Sequence, residues 1–248
     1  MRLKAIGVVL FIALGSLGIF YGWQELKSLM FTGNSLYQIK KLNISTKLAV
    51  TSEEVKTYTG IQEGVNIFSF SAEKARTQLL QNVPNLSEVT IVKRLPDEVE
   101  IKAFDRLPVL RLKNPSFASD KNGTVMILDE KQNWHSLPRL VTFTQKQNPV
   151  PGQTLEGKAS MALEIVNVYN EMDGISFKLN SIDIDGKVYV ILQTSDGRRE
   201  IRLVWEELIS KADIRQALKM ASETLAQPKA AGLVRFDVLL STKQVYGR

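Results

Sequence analysis

The sequence predicts an α+β chain in three parts: a single N-terminal membrane helix, a small βααββ unit, and a larger mixed, mostly antiparallel sheet domain with helices. Three observations lead there. One long apolar run stands near the N-terminus and nowhere else. Segments with hydrophobic period two alternate with segments of period 3.6, the marks of half-buried strands and amphipathic helices. From residue 107 the pattern changes, and hairpin turn signals begin to separate the strand-like runs. The expected parts are a cytoplasmic tail at 1–4, a transmembrane helix at 5–23, a linker at 24–36, the small unit at 37–106 and the sheet domain at 107–248.

The apolar run, Ala5 to Trp23, holds nineteen residues without a charge. A helix of that length is about 28 Å long, the thickness of a bilayer's hydrocarbon core. Arg2, Lys4 and the amino terminus precede it, which keeps that end in the cytoplasm and puts the bulk of the chain on the other side. A cleaved signal peptide is the alternative. Within the run, however, alanine occurs only at positions 5 and 13, so no cleavage site is evident, and the run closes on Phe20-Tyr21-Gly22-Trp23, suited to the headgroup level. An uncleaved anchor is the favoured reading. Gly18 and Gly22 form a small-xxx-small pair that could pack on another helix.

After the linker, Tyr37 to Ile44 reads as a strand. Thr51-Ser-Glu-Glu54 is a capping box that opens a helix to about Thr59, and Gly60 ends it. Ser71 caps a second helix, Ala72 to Asn82, with Ala75, Leu79 and Leu80 on its apolar side and Pro84 beyond it. Two strands follow around the turn Leu95-Pro96-Asp97. In the second, Val99, Ile101 and Ala103 alternate with Glu98, Glu100 and Lys102.

The larger domain begins with a strand at Leu107–Leu112, a turn at Ser119–Gly123 and a strand at Thr124–Leu128. Residues 133–154 read as loop. A helix from Glu156 to Met172 carries Met161, Ile165, Val168 and Met172 as a stripe. Strands at 175–184, 187–193 and 200–204 are joined by turns at Asp185-Gly186 and Ser195-Asp196-Gly197. A helix is expected from Trp205 to Ala226, with Trp205, Leu208, Ile209, Ala212, Leu218, Ala221 and Leu225 facing inward. The last strand runs from Leu233 to Leu240, and Ser241 to Arg248 is left as a tail.

Composition bounds the function. The chain has 248 residues, 44% hydrophobic and 23% charged, with a net charge of +6 and no cysteine. An exported chain of this kind has no disulfides, no thiol catalysis and no cysteine metal site. Its basic residues are scattered, a poor fit to nucleic acid. The single histidine, His135, lies in a loop without partners for zinc. No G-x-S-x-G, P-loop or dinucleotide fingerprint is present. Asp183, Asp185 and Asp196 read as turn residues, and Glu206-Glu207 as acidic residues favourably placed near a helix N-terminus. No catalytic residue, metal, cofactor or small-molecule substrate is expected.

What remains is a protein that presents surfaces. In the last strand Val234, Phe236, Val238 and Leu240 point to one face, and Arg235, Asp237 and Leu239 to the other. From the residues alone this strand is either an exposed edge open to strand addition, or an interior strand, or an edge covered by its own tail.

The strand–helix–helix–strand–strand order resembles a POTRA domain. The stretches Asn66–Ser71, Leu79–Pro84, Val89–Ile101 and Asp105-Arg-Leu-Pro-Val109, with Ser119–Thr124 and the closing Val234–Leu240, resemble the FtsQ/DivIB cell-division family. The chain departs from that family's pattern at Asn85, where an aromatic is usual, and at Ser45-Thr46, where a glycine is usual. The resemblance implies a single-pass protein of the bacterial inner membrane, N-terminus cytoplasmic, acting without catalysis at the division site. It implies membrane-anchored partners like FtsB and FtsL, held by strand addition to the last strands. Carried over by motif, the partner edge falls on Phe236, Asp237, Val238, Leu239, Leu240, Ser241 and Thr242. A POTRA module of polypeptide transport and an anchored envelope hydrolase are the competing expectations.

Overall fold

A computed structural model describes residues 21–23, 26, 31, 33–129, 132–142 and 149–248. The expected tail at 1–4 and most of the expected span at 5–23 lie outside the described residues. Residues 21–23 are helical, and among the described residues no helix is long and apolar enough to cross a membrane. The chain divides into two compact units, the first ending at Asp105 and the second beginning at Arg106.

The first unit holds β1 (Lys41–Ser45), α1 (Ser52–Thr59), α2 (Ala72–Asn82), β2 (Leu86–Arg94) and β3 (Glu98–Asp105). Its sheet order is β1-β3-β2, with β3 parallel to β1 and antiparallel to β2. Capping chemistry sets the helix starts. Thr51 Oγ1 accepts from the Glu54 N–H at 3.3 Å, and Glu54 returns the bond to the Thr51 N–H at 2.8 Å. The hydrogen bonds that its carboxylate accepts, first from the Thr51 N–H and then from the Thr51 hydroxyl, hold the exposed Glu54 carboxyl below the usual glutamate range. Gly60 closes α1 at φ +68°, a left-handed cap that a side chain would resist. Ser71 accepts from the Lys74 N–H to start α2.

The alternation in β3 does what the sequence requires. Val99, Ile101 and Ala103 join Val55, Leu79, Leu86 and Val89 in one buried core. Glu98, Glu100 and Lys102 take the other face, where Glu100 meets Lys102 at 2.7 Å and Arg94 at 2.9 Å. Phe31 and Asn34, expected within the linker at 24–36, are tied to this unit, as is Tyr37 at its expected start. Asn66 Nδ2 donates to the Phe31 and Asn34 carbonyls at 2.9 and 3.2 Å, and the Ile67 N–H donates to the Tyr37 carbonyl at 2.8 Å.

The second unit contains β4 (Pro108–Arg111), β5 (Phe117–Asp120), β6 (Val125–Ile127), β7 (Arg139–Leu140), α3 (Gly157–Glu171), β8 (Leu179–Asp183), β9 (Tyr189–Thr194), β10 (Glu200–Val204), α4 (Lys211–Leu225), β11 (Arg235–Leu239) and β12 (Gln244–Gly247). The nine strands form one sheet in the order β12-β11-β10-β9-β8-β7-β4-β5-β6. The neighbours β4/β7, β7/β8 and β10/β11 are parallel and the other pairs antiparallel, a mixed and mostly antiparallel sheet. The helices and one sheet face share a large buried core that includes Leu110, Leu140, Ile165, Val166, Ile182, Leu192, Ile201, Leu218 and Phe236.

Four differences from the sequence reading have local causes. The expected helix at 205–226 is two elements, a 3-10 turn at Trp205–Glu207 and then α4. The break is a capping box at Ser210: its hydroxyl accepts from the Asp213 N–H, and Asp213 accepts from the Ser210 N–H at 2.8 Å. The helical phase therefore restarts. Ile209 is 87% exposed and Ala212 is exposed, while Ile214 is buried in their place. Second, the expected loop at 133–154 contains β7, which fills the middle of the sheet. Third, β5 is a strand although only its end was read, as a turn. Fourth, the expected C-terminal tail contains β12.

Candidate partner-binding edge

β11 sits between two neighbours. On one side it runs parallel to β10, with Ile201 beside Phe236 and Leu203 beside Val238. On the other it pairs antiparallel with β12, with Val238 opposite Val245 and Asp237 opposite Tyr246. Phe236 and Val238 are buried to 0 and 1% exposure, and Asp237 is buried as well. Of the expected free edge, Phe236, Asp237, Val238 and Leu239 thus lie in an interior strand, with Leu240, Ser241 and Thr242 in the turn beyond it. The cause is the fold-back of the last residues, which cover the main-chain groups that an added strand would need.

Three contacts hold that fold-back. The turn closes with the Lys243 N–H donating to the Leu240 carbonyl at 3.1 Å, and Lys243 takes a φ of +53°. The Glu207 carboxylate accepts from the Leu240 N–H at 2.6 Å and the Ser241 N–H at 3.2 Å. Burial pushes the Glu207 carboxyl up, but the hydrogen bonds from the Ser241 hydroxyl and these two N–H groups outweigh it and leave the carboxyl below the usual range. Glu207 therefore clamps the β11–β12 turn, a role distinct from the helix-terminus placement read from sequence. Finally, the Arg248 N–H donates to the Arg235 carbonyl at 2.9 Å and the Arg235 N–H to the Arg248 carbonyl at 3.2 Å.

That last exchange fixes the hydrogen-bond phase of β12. Hydrogen-bonded and non-hydrogen-bonded pairs alternate along an antiparallel ladder. Arg235 and Arg248 are a bonded pair, so Tyr246 and Gln244 also turn their main-chain groups toward β11. The N–H and C=O groups of Val245 and Gly247 point outward. Among the described residues no strand pairs with that outer side.

The edge has two faces. On the helix side a groove of about 440 Å³ lies beside it, with Met220, Leu233 and Val245 in its wall and Glu223, Lys229 and Lys243 among its polar lining. Glycine at 247 permits this packing: a Cβ there would lie 2.5 Å from Leu233 Cδ1. On the other face Arg202 Nε donates to Glu200 at 2.9 Å, Arg235 lies 4.0 Å from Glu200, and Arg248 lies 3.4 Å from Asp237. These partly exposed pairs align β10, β11 and β12 and contribute little stability each.

The remaining residues singled out in sequence serve local structure. His135 is exposed, and its N–H donates to Asn133 Oδ1. Asp183 accepts from the Thr142 hydroxyl and the Asp185 N–H, and Asp196 from the Thr194 hydroxyl and the Arg198 N–H. The hydrogen bonds at Asp196, led by that from Thr194, hold its carboxyl below the usual range. Asp120, in the sequence turn 119–123, accepts from the Asn122 and Thr124 N–H groups and pairs with Arg106 at 2.5 Å. That pair ties the start of the second unit at Arg106 to the turn at Ser119–Gly123. What sequence inspection missed is β12. Its only signal is Val245-Tyr246, two strand-favouring residues just after the polar Ser241-Thr242-Lys243.

Residues 37–103 match the family model for a POTRA domain of FtsQ type. The chain is 24% identical to the cell division protein DivIB of Clostridium acetobutylicum over 150 residues, covering 60% of this chain and 58% of that one. It is 21% identical to the cell division protein FtsQ of Syntrophotalea carbinolica over 205 residues, covering 80% and 71%. A third match, to the cell division protein FtsQ of Streptomyces griseus, is 28% identical over 78 residues and covers 32% and 38%. The βααββ unit is therefore of the POTRA class, FtsQ type. The chain carries this POTRA domain as its first unit, and it is similar to cell division proteins named FtsQ and DivIB.

Proposed function

We propose that this chain is a non-enzymatic, single-pass scaffold of the bacterial cell-division machinery. It is held in the inner membrane by residues 5–23, with its N-terminus cytoplasmic, and acts at the division site. Its extracytoplasmic part captures membrane-anchored partners like FtsB and FtsL by strand addition. The edge that receives the partner is β12. The observation that carries this reading is the unpaired outer side of β12, in a chain whose relatives bear the names of cell-division proteins. An added strand would bond to the outward groups of Val245 and Gly247, and its alternate side chains would reach the groove beside Val245. Tethering in one membrane raises the effective concentration of such partners, so modest contacts suffice.

Val245→Pro tests the reading. Proline removes the outward N–H and leaves the bonds from Gln244 and Tyr246 to β11 intact, as it does on natural edge strands. The expected result is a folded protein that no longer co-purifies with the host's FtsB-like partner, while Val245→Ala retains capture. Undiminished capture by Val245→Pro contradicts the proposal.

A further inference from the structure

The first unit carries a cluster of aromatic rings at the margin of its core, against which Tyr37 packs. Phe68 lies 5.3 Å from Phe31 and 5.0 Å from Tyr37, both edge-on at 74° and 77°, and Phe31 lies 6.1 Å from Tyr37. Such edge-to-face contacts fix ring orientation. The backbone beneath is equally fixed. Asn66 bonds to the Phe31 and Asn34 carbonyls, the Phe68 N–H donates to Asn66 Oδ1 at 2.8 Å, and the Leu36 N–H donates to Asn34 Oδ1 at 2.9 Å. Yet this rigid assembly presents apolar surface to water: Leu36 is 52% exposed and Phe68 37%.

Chain length says what this surface meets. The apolar run ends at Trp23, eight residues before Phe31. Eight residues span at most about 29 Å even when fully extended. Within that reach of a bilayer surface, a fixed set of aromatic and aliphatic side chains matches the interfacial zone, where amphipathic rings are favoured. We infer that Leu36, Phe68 and the ring cluster form a foot by which the first unit rests on lipid headgroups. This inference depends on residues 5–23 being a membrane anchor. Through the foot, the hydrogen bonds of Asn66 would couple the unit's orientation to the membrane plane.

The chain has no cysteine, so single-cysteine labelling needs no background removal. The full chain is reconstituted in phosphatidylethanolamine/phosphatidylglycerol vesicles with a nitroxide at Leu36→Cys, Phe68→Cys, Gln81→Cys or Leu14→Cys. Collision with oxygen is compared with collision with a water-soluble nickel chelate. The inference predicts labels at 36 and 68 within about 5–10 Å of the headgroup boundary, and an oxygen-to-nickel ratio several-fold above that at 81, near the far end of α2. Leu36 is half exposed and outside the core, so its label reports even if Phe68→Cys perturbs packing. Equal ratios at 36, 68 and 81 overturn the foot. An immobilised label at 36 and 68 without an oxygen gain also overturns it, pointing to contact with a second copy. A lipid-like ratio at 14 with water-like ratios at 36 and 68 refutes the foot alone, whereas a water-like ratio at 14 removes the anchor and the foot together.

Discussion

β11 and β12 form one hairpin and differ in almost every other respect. β11 has a strand on each side and buries Phe236 and Val238 in the large core. Among the described residues β12 has one neighbour, and of its own residues only Val245 is half-buried. The alternating apolar pattern that drew attention to 235–239 is the mark of a strand that must satisfy a core. A strand kept available to another chain carries no such requirement, and Gln-Val-Tyr-Gly shows almost none. In this domain the conspicuous strand is structural, and the inconspicuous one is the edge proposed to receive a partner.

Substitutions can break that contrast. The largest effect is expected at Phe236. Phe236→Ala leaves a cavity under the sheet and costs about 3–5 kcal/mol, read from the midpoint of urea unfolding, so any loss of capture follows from unfolding. Val245→Pro should do the reverse, abolishing capture in the co-purification assay with a stability change within about 1 kcal/mol. If Phe236→Ala were mild and Val245→Pro unfolded the domain, the roles assigned to the two strands would be reversed.

Glu207→Ala lies between these extremes. It strips the acceptor from the Leu240 and Ser241 N–H groups and is expected to cost about 1–2 kcal/mol, with faster hydrogen exchange confined to the β11–β12 hairpin. The same clamp makes the hairpin sensitive to pH. Because the folded Glu207 carboxyl lies below its ordinary value, its contribution is complete above the unfolded glutamate pKa of about 4.3. It is lost as the pH falls through the folded value. Protection from exchange at Leu240 and Ser241, taken relative to the intrinsic rate at each pH, should therefore fall on acidification below about pH 4, and Glu207→Ala should remove that dependence. The smallest effect is expected from Tyr246→Ala. Its side chain is 48% exposed, so stability should move by less than about 0.5 kcal/mol, with at most a modest loss of capture.

The sequence makes the first unit legible because its signals are local. Thr51 with Glu54, Ser71, and the Val99-Ile101-Ala103 alternation each act within a few residues. The sheet unit depends on distant pairing. Arg139–Leu140 is two residues long, too short for any period, yet it sits between β4 and β8 because the parallel neighbours on both sides supply its register. Leu208 and Ile209 continue the apolar pattern of the helix after β10 backward through Ser210, but the capping hydrogen bonds outweigh that pattern and turn Ile209 to solvent. Glu207 looked like a helix-terminus acid because its partners, Leu240 and Ser241, are more than thirty positions away. The candidate edge stayed hidden for the same reason: β12 is defined by its contact with β11 and the grip of Glu207.

The claim that β12 is the docking strand is tested most directly by hydrogen exchange at individual amides, with and without the extracytoplasmic segment of the host's FtsB-like partner. The outward N–H groups of Val245 and Gly247 should exchange quickly in the free protein and become strongly protected when the partner is added, while Tyr246, already bonded to β11, should be slow in both. Unchanged exchange at Val245 and Gly247 in a demonstrably formed complex would contradict the account.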